Sequence, residues 1–565
     1  MSLPNFTNLG DLIRRDQDLN KLALIDLGGE PTVNGAPREY TYAQLDAMAG
    51  AVARGLIKRG YKRGERIAIL SANRVENLAA YYGIMRAGMI AVPVNFKFPR
   101  AMIAFVLEDA DARLVFCDAP RKGEVPAQVP TITFNQAGDA LHDRPAGPAG
   151  STLHDRPAGP AGSTLHDRPA GPAGSMGWDA FLDPGPFESV TPAPDEVAMF
   201  LYTSGSTGKP KGVMLSHQSH IWVAKTRLGN NDWSAHRFLI AAPLYHMNAL
   251  ALAKLASVAH ATIILLPQFT ARAYIEAIEK YRATWLTAVP PMVAMMLQEK
   301  ELLARTDLSS VKSLRMGSAP VSGSLMAAIH QVLPNTQVVN AFGTTEGGPV
   351  VFGPHPQGLP TPEMSVGYPH PEVQLRLNNN EGDQGNEETV DQGDRNVAQG
   401  VLEMKSPALL LGYHKADQRV PPLKRPFTSD GFYITGDVFR RDENGFYFFV
   451  GRSDDMFVSG GENIYPGEVE KLLESHPGVQ QAAVVPVEDE IKGQKPAAFV
   501  VRRVGASVSA EELKQHALAN GPAYQHPRWI WFVDALPLAT TNKIDRNVLI
   551  VEAAAKVKAG NAGAH

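Results

Sequence analysis

The sequence predicts an α/β protein, with a large multi-subdomain N-terminal α/β domain over residues 1–450 and a small α+β C-terminal domain over 451–565. Three observations carry this. At 565 residues the chain exceeds what one hydrophobic core usually serves, so two or more domains are expected. Short β-rich runs alternate with helix-spaced segments through most of the first 450 residues, the pattern of layered and largely parallel sheets. From about Gly451 the texture changes to a denser α+β mixture of roughly a hundred residues, the size of a compact domain.

The elements follow in order. Residues 66–70 (RIAIL) read as a strand, 75–88 have helical spacing and stop at Gly88, and 90–94 (IAVPV) read as a strand again. Residues 197–201 (VAMFL) are strand-like. The alternation recurs at 262–266, 274–281, 284–289 and 291–298, and a further strand is expected at 337–340. In the small domain, 479–485, 497–501 and 529–533 look like strands and 509–519 like a helix. The most apolar long stretch, 249–266, is interrupted by Lys254 and His260, so it reads as a core helix plus a strand and not as a membrane span.

Two segments break the pattern. LHDRPAGPAGS at 141–151 recurs at 153–163 and 165–175, a 12-residue period in three copies. It has almost no apolar face to bury, so a duplicated flexible surface loop over 141–175 is expected. Residues 378–400 are polar and acidic with scarcely any apolar side chain, as in an exposed loop between strands.

The net charge of −4 makes no electrostatic case for nucleic acid or an anionic membrane surface. The N-terminus lacks a basic region followed by an apolar one, so no secretory signal is expected and the protein is read as cytoplasmic. The single cysteine, Cys117, lies in an apolar run and excludes an intrachain disulfide.

Residues 202–212 (YTSGSTGKPKG) place glycines, hydroxyls, Lys209 and Lys211 directly behind a strand. Glycine lets backbone N–H groups turn toward an anion, and a nucleotide polyphosphate is the usual occupant of such a loop. It is not a Walker A loop, because Pro210 follows Lys209; by itself it fits a solvated turn as well. A second strand-like run leads to AFGTTEGG at 341–348, where a carboxylate follows two hydroxyls, a sensible Mg²⁺ site when the metal also holds phosphate. YITGD at 433–437 places an acid after a strand and a glycine, suited to ribose hydroxyls. PLATTNK at 537–543 presents a lysine from a turn.

Together with GRSDD at 451–455, and in this order, these motifs closely resemble the acyl-adenylate-forming superfamily of acyl-CoA synthetases, adenylation domains and luciferases. The resemblance covers nearly the whole chain apart from the two loops. It implies that the loop with Thr203, Ser204, Gly205, Ser206, Thr207, Gly208, Lys209 and Lys211 closes over the ATP β- and γ-phosphates. Thr345 would contact phosphate, and Glu346 with Thr203 would hold Mg²⁺. Phe342 would flank adenine, with Gly317, Ser318, Ala319 and Pro320 lining that pocket beside Asn340, Ala341, Gly343 and Thr344. Asp437 and Arg452 would bind ribose, and Lys543 would bridge the carboxylate and the α-phosphate. Asp454 resembles the hinge about which the small domain rotates. Gly461 matches the glycine that lets the pantetheine arm of coenzyme A pass, with Gly460 beside it in the cofactor site.

The implied activity is that of an ATP-dependent carboxylic acid–CoA ligase, through acyl-AMP and without an enzyme nucleophile. Two residues depart from the family pattern: Asn542 stands where glycine usually precedes the catalytic lysine, and Gln525 where lysine is common. A peptide-synthetase domain would need an acid near 243–249 to pair with an ammonium, and that stretch offers only His246 and Asn248. Carrier-protein loading, luciferase-like oxygenation and a silent nucleotide binder are the alternatives. His246 reads either as a packed core residue or as the family histidine at the mouth of the acyl pocket. Met247, Asn248, Val289, Met292, Met316 and Phe342 would help line that pocket, which suits a small branched, hydroxylated or aromatic acid about equally. A second copy of the chain and a lysine acetyltransferase acting on Lys543 are the candidate macromolecular partners.

Overall fold

The computed structural model describes residues 6–28, 37–134, 176–203, 209–318, 321, 323–378, 398–418, 426–459, 462–489, 492–539 and 543–562. The repeat loop at 141–175 and most of the acidic loop lie outside them, the latter bounded by the antiparallel strands Gln374–Asn378 and Gln399–Lys405.

Two sheets dominate the large domain. One has eight strands in the order Gly412–Tyr413, Lys211–Ser216, Val197–Thr203, Ile90–Pro93, Arg66–Leu70, Ala112–Cys117, Thr131–Thr133 and Met176–Gly177, parallel from Val197–Thr203 onward. The other has seven, in the order Gln337–Ala341, Ser313–Gly317, Trp285–Ala288, Arg237–Ile240, Thr262–Leu265, Leu22–Asp26 and Arg38–Thr41, with only the last pair antiparallel. The expected strands and helices appear within a few residues of their predicted ends. Strands Val479–Asp489 and Gly493–Arg502 run longer than their apolar centres because they pair with each other along their whole length.

Helices Tyr42–Lys58, Val75–Arg86, His217–Leu228 and Met247–Val258 share one core with both sheets. Every residue of Val75–Arg86 is buried, as expected of a helix without a polar face. Its one guanidinium, on Arg86, donates to Asp46 Oδ1 at 2.7 Å and to the Gly10 carbonyl at 2.8 Å. Removing one partner of such a buried pair costs about 3–5 kcal/mol, so this contact fixes the helix between the sheets. Separate cores lie on the outer face of each sheet.

A four-stranded antiparallel sheet, Gln374–Asn378, Gln399–Lys405, Tyr433–Arg441 and Tyr447–Arg452, leads to the small domain. There a five-stranded sheet carries Pro466–Glu474, Ala510–Asn520 and Arg546–Ala562. Its contact with the large domain includes a polar one, Lys471 Nζ donating to the Phe449 carbonyl at 2.8 Å.

Candidate active site

Strands Val197–Thr203 and Lys211–Ser216 are antiparallel neighbours with Thr203 opposite Lys211, so the two ends of the lysine-bearing segment are pinned together. Ser204, Gly205, Ser206, Thr207 and Gly208 lie outside the described residues. The Thr203 hydroxyl oxygen is buried and has no hydrogen-bond partner among the described residues. Leaving such a group unpaired costs about 1–3 kcal/mol, which an incoming oxygen or cation would recover. Lys209 is exposed, its ammonium 5.6 Å from the centre of the Phe105 ring.

Lys211 Nζ donates to the Tyr413 hydroxyl at 2.8 Å, and that hydroxyl donates to Glu346 Oε1 at 3.1 Å. Lys211 and Glu346 themselves are 3.4 Å apart. Burial, reinforced by the Glu346 charge, raises the Tyr413 phenol far above its ordinary value, so it stays protonated and able to donate. Tyr413 carries no motif signal. It reaches Glu346 across 67 residues of sequence because its two-residue strand pairs with Lys211–Ser216.

Glu346 follows the edge strand Gln337–Ala341, at the carboxyl end of the seven-stranded sheet. Open α/β sheets present ligands at this end. Thr344 Oγ1 accepts from the Gly347 N–H at 2.7 Å and shapes the turn, with Gly343 and Thr345 half-buried around it. Asn340 is turned away, its amide on the Met364 carbonyl at 3.0 Å. Phe342 packs edge-on against Phe439 at 4.8 Å between ring centres and stays half-buried. Gly317 lies against Ala341, where a Cβ would come within 2.6 Å of the carbonyl oxygen. Ser318 then takes the left-handed conformation (φ 66°) at the strand end; Ala319 and Pro320 lie outside the described residues.

Asp437 and Arg452 face each other on adjacent strands, with Arg452 Nη1 donating to Asp437 Oδ1 at 3.1 Å. Gly436, at φ 71°, turns the chain beneath that guanidinium. Arg452 also grips Asp454 through two hydrogen bonds of 2.7 and 3.0 Å. Burial pushes the Asp437 carboxyl up to about 6 against the opposing pull of Arg452 and Lys543.

Lys543 is presented by a hairpin in which the Ala539 N–H donates to the Lys543 carbonyl at 2.7 Å. Residues 540–542, Asn542 among them, lie outside the described residues, as do Gly460 and Gly461. The residue is open to solvent, yet its ammonium is crowded by protein and lies within electrostatic reach of Asp437, Arg452, Asp455 and Glu346. Desolvation lowers its pKa while Asp437 resists that shift. Gln525 hydrogen-bonds Glu468 at 3.1 Å on the small domain.

On the acyl side, buried Asn73 holds the segment before His246: its amide donates to the Ala242 and Leu266 carbonyls and its oxygen accepts from the Leu244 N–H. His246 ends that segment at the start of helix Met247–Val258. Its Nε2 is buried without a partner among the described residues, and its ring lies 4.5 Å from Tyr245. Burial, with Lys543 and Lys97 nearby, pulls the imidazole down to about 4, so it is neutral at physiological pH. Asn248 Oδ1 accepts from the Thr287 hydroxyl at 3.0 Å. Met247 is 9% exposed, and Val289 is half-buried just before helix Pro290–Gln298. Met292 and Met316, 1% and 0% exposed, belong to the core behind the seven-stranded sheet. Cys117 is wholly buried and its thiol is pushed up to about 12 by burial.

Lys543 thus comes within electrostatic reach of Asp437, Glu346 and the neutral His246, while Glu346 meets Lys211, opposite Thr203, whose hydroxyl has no partner among the described residues. A model of the AMP-binding enzyme family matches residues 14–414, and one of the AMP-binding enzyme C-terminal domain matches 468–543. A feruloyl-CoA synthase of an Amycolatopsis species is 30% identical over 506 residues, which cover 89% of this chain and 92% of that one. ATP-bound MatB from Rhodopseudomonas palustris superposes with a TM-score of 0.73 at 25% identity, covering 97% and 99% of the two chains. An o-succinylbenzoate CoA synthetase from Bacillus subtilis, in complex with its acyl-adenylate intermediate, gives 0.71 at 25%, covering 96% and 98%.

Proposed function

The chain belongs to the AMP-binding enzyme family, and we propose that it is a carboxylic acid–CoA ligase working through an acyl-adenylate. A carboxylate oxygen attacks the α-phosphorus of ATP, the bond to the β-phosphate breaks, and pyrophosphate leaves. The thiol of coenzyme A then attacks the acyl carbon, and AMP departs as the thiol proton is lost. The single observation that carries this is Lys543, delivered by the small domain into the cleft that holds Asp437, Glu346 and His246.

Each residue then has a part. Lys543 neutralises charge between the attacking carboxylate and the α-phosphate, the preorganised electrostatic stabilisation on which phosphoryl chemistry depends. Asp437, held by Arg452, accepts from ribose hydroxyls, and Lys209 and Lys211 meet the β- and γ-phosphates. Phe342 stands beside the adenine. The buried Thr203 hydroxyl and the Glu346 carboxylate are oxygen donors of the kind Mg²⁺ takes, and they would hold it against ATP. When bound, that ion neutralises phosphate charge. His246 and Asn248, with Met247 and Val289, form the mouth and near wall of the acyl pocket. The neutral imidazole carries no charge to repel or trap the acid.

Strand Tyr447–Arg452 pairs with the large domain through its last residue, whereas Phe457–Ser459 already belongs to the small sheet. We therefore place the hinge at Asp454. Rotation there would exchange Lys543 for another face of the small domain between the half-reactions. The test is AMP formation with Mg-ATP across a panel of carboxylic acids, with and without coenzyme A, and with Lys543→Ala as control. CoA-dependent AMP that the variant loses supports the ligase; acyl-AMP that coenzyme A leaves untouched points to another acceptor.

A further inference from the structure

Residues paired on adjacent parallel strands project to the same face of a sheet. Arg315 pairs with Thr287, whose hydroxyl reaches Asn248, so Arg315 projects to the face that carries the acyl side of the cleft. Its Nη2 donates to the Pro349 carbonyl at 3.1 Å. The next residue, Val350, packs against Val223 of helix His217–Leu228, and Arg227 follows Val223 by one turn on the same side of that helix. His220, three residues before Val223 and also on that side, accepts at Nδ1 from Lys254 Nζ at 3.1 Å. Lys254 is 1% exposed and His220 is wholly buried, while Arg227 and Arg315 are half-buried.

Three cations thus converge where helices His217–Leu228 and Met247–Val258 meet strand Ser313–Gly317. Among the described residues none of them has a carboxylate partner. The surroundings disfavour charge on each: burial and Arg227 pull Lys254 down to about 7, burial pulls Arg315 to about 10, and burial with Arg315 depresses Arg227 well below its ordinary value. Buried cations without a counter-ion are costly, and folds keep such violations chiefly at functional sites.

We propose that the acid activated by this chain carries a second anionic group, carboxylate or sulfonate, received by Arg315, Arg227 and Lys254. This rests on the ligase reading and deepens it by naming the substrate class. The helix from Met247 to Lys254 rises roughly 10 Å, so the second anion stands well away from the reacting carboxyl. His220 is a positioning residue, holding the Lys254 ammonium through Nδ1.

The test compares kcat/KM on the full-length protein for saturated monocarboxylates, α,ω-dicarboxylates and ω-sulfonated carboxylates of matched length. The expected result is a preference of roughly 100-fold for one dianionic series, collapsing in Arg315→Gln and in Arg227→Gln. Which of the two dianionic arms wins identifies the group. Equal rates across matched acids, or a preference that both variants retain, would overturn the inference and leave the ligase standing. Should no acid yield AMP, calorimetry with the dicarboxylates separates the two ideas. Dianion binding that Arg315→Gln abolishes keeps the anion subsite while the ligase reading falls; no binding overturns both.

Discussion

Lys211 and Glu346 stand 3.4 Å apart with the Tyr413 hydroxyl bonded to both. Lys211, at the end of the proposed phosphate loop, and Glu346, proposed to hold a cation, therefore already offset each other's charge. Binding Mg-ATP would exchange this internal pair for lysine–phosphate and carboxylate–cation contacts, which limits the desolvation cost at that moment. Glu346→Gln is expected to lower acyl-AMP formation by about 100-fold and to weaken its dependence on Mg²⁺ concentration. Tyr413→Phe removes only the shared hydroxyl and should cost a few-fold in KM for ATP. Steady-state kinetics at varied Mg²⁺ checks both, and an unchanged metal dependence in Glu346→Gln would remove it from the metal site.

Lys543→Ala should reduce acyl-AMP formation by about 100- to 1,000-fold. It should spare thioester formation from acyl-AMP supplied directly, because that step does not involve the α-phosphate charge the lysine is proposed to offset. Single-turnover measurements of the two half-reactions separate these effects. Equal losses in both would mean that Lys543 holds the domains together instead of acting at the phosphate.

The Asp437 carboxyl, raised to about 6, makes a prediction with two signs. The folded protein binds this proton more tightly than the unfolded chain does. Stability from this group is therefore present at low pH and falls as pH rises toward 6 and through it. Asp437→Asn should accordingly raise Tm at pH 8 while weakening ATP binding there. In the unaltered protein, KM for ATP should rise as pH drops below about 6, where the carboxyl loses its charge. A variant that is less stable at pH 8 would contradict this balance.

Asn73 satisfies three backbone groups that hold the segment leading into His246. Asn73→Ala leaves buried carbonyls and an N–H unpaired and should cost about 2–4 kcal/mol in denaturant unfolding. Turnover at saturating ATP should fall as well, since His246 and Asn248 would lose their fixed entry to the helix.

Cys117 is buried and its thiol resists ionisation, so native protein should be inert to iodoacetamide and react only after unfolding. Cys117→Ala should retain kcat. A thiol that reacts in the native state, with loss of activity, would reopen covalent catalysis.

Much of the fold was legible because buried parallel strands leave continuous apolar runs and helices leave a 3.6-residue period, as at 66–70 and 75–88. The loop at 202–212 could be read as a candidate anion site because glycine, hydroxyl and lysine have local chemical meaning, and its role stays a proposal. Tyr413 was not legible, since it meets Glu346 only through a two-residue strand paired to Lys211–Ser216. Neither was the cation cluster. Lys254 stood in the sequence merely as a break in an apolar stretch, and neither Arg227 nor Arg315 carried a motif signal. Local pattern specifies which elements form and which motifs carry chemistry, because those depend on neighbours in sequence. Which side chains share a face, and which charges are left without a partner, depends on strand register and helix packing between distant segments. Those relationships exist only once the chain has folded.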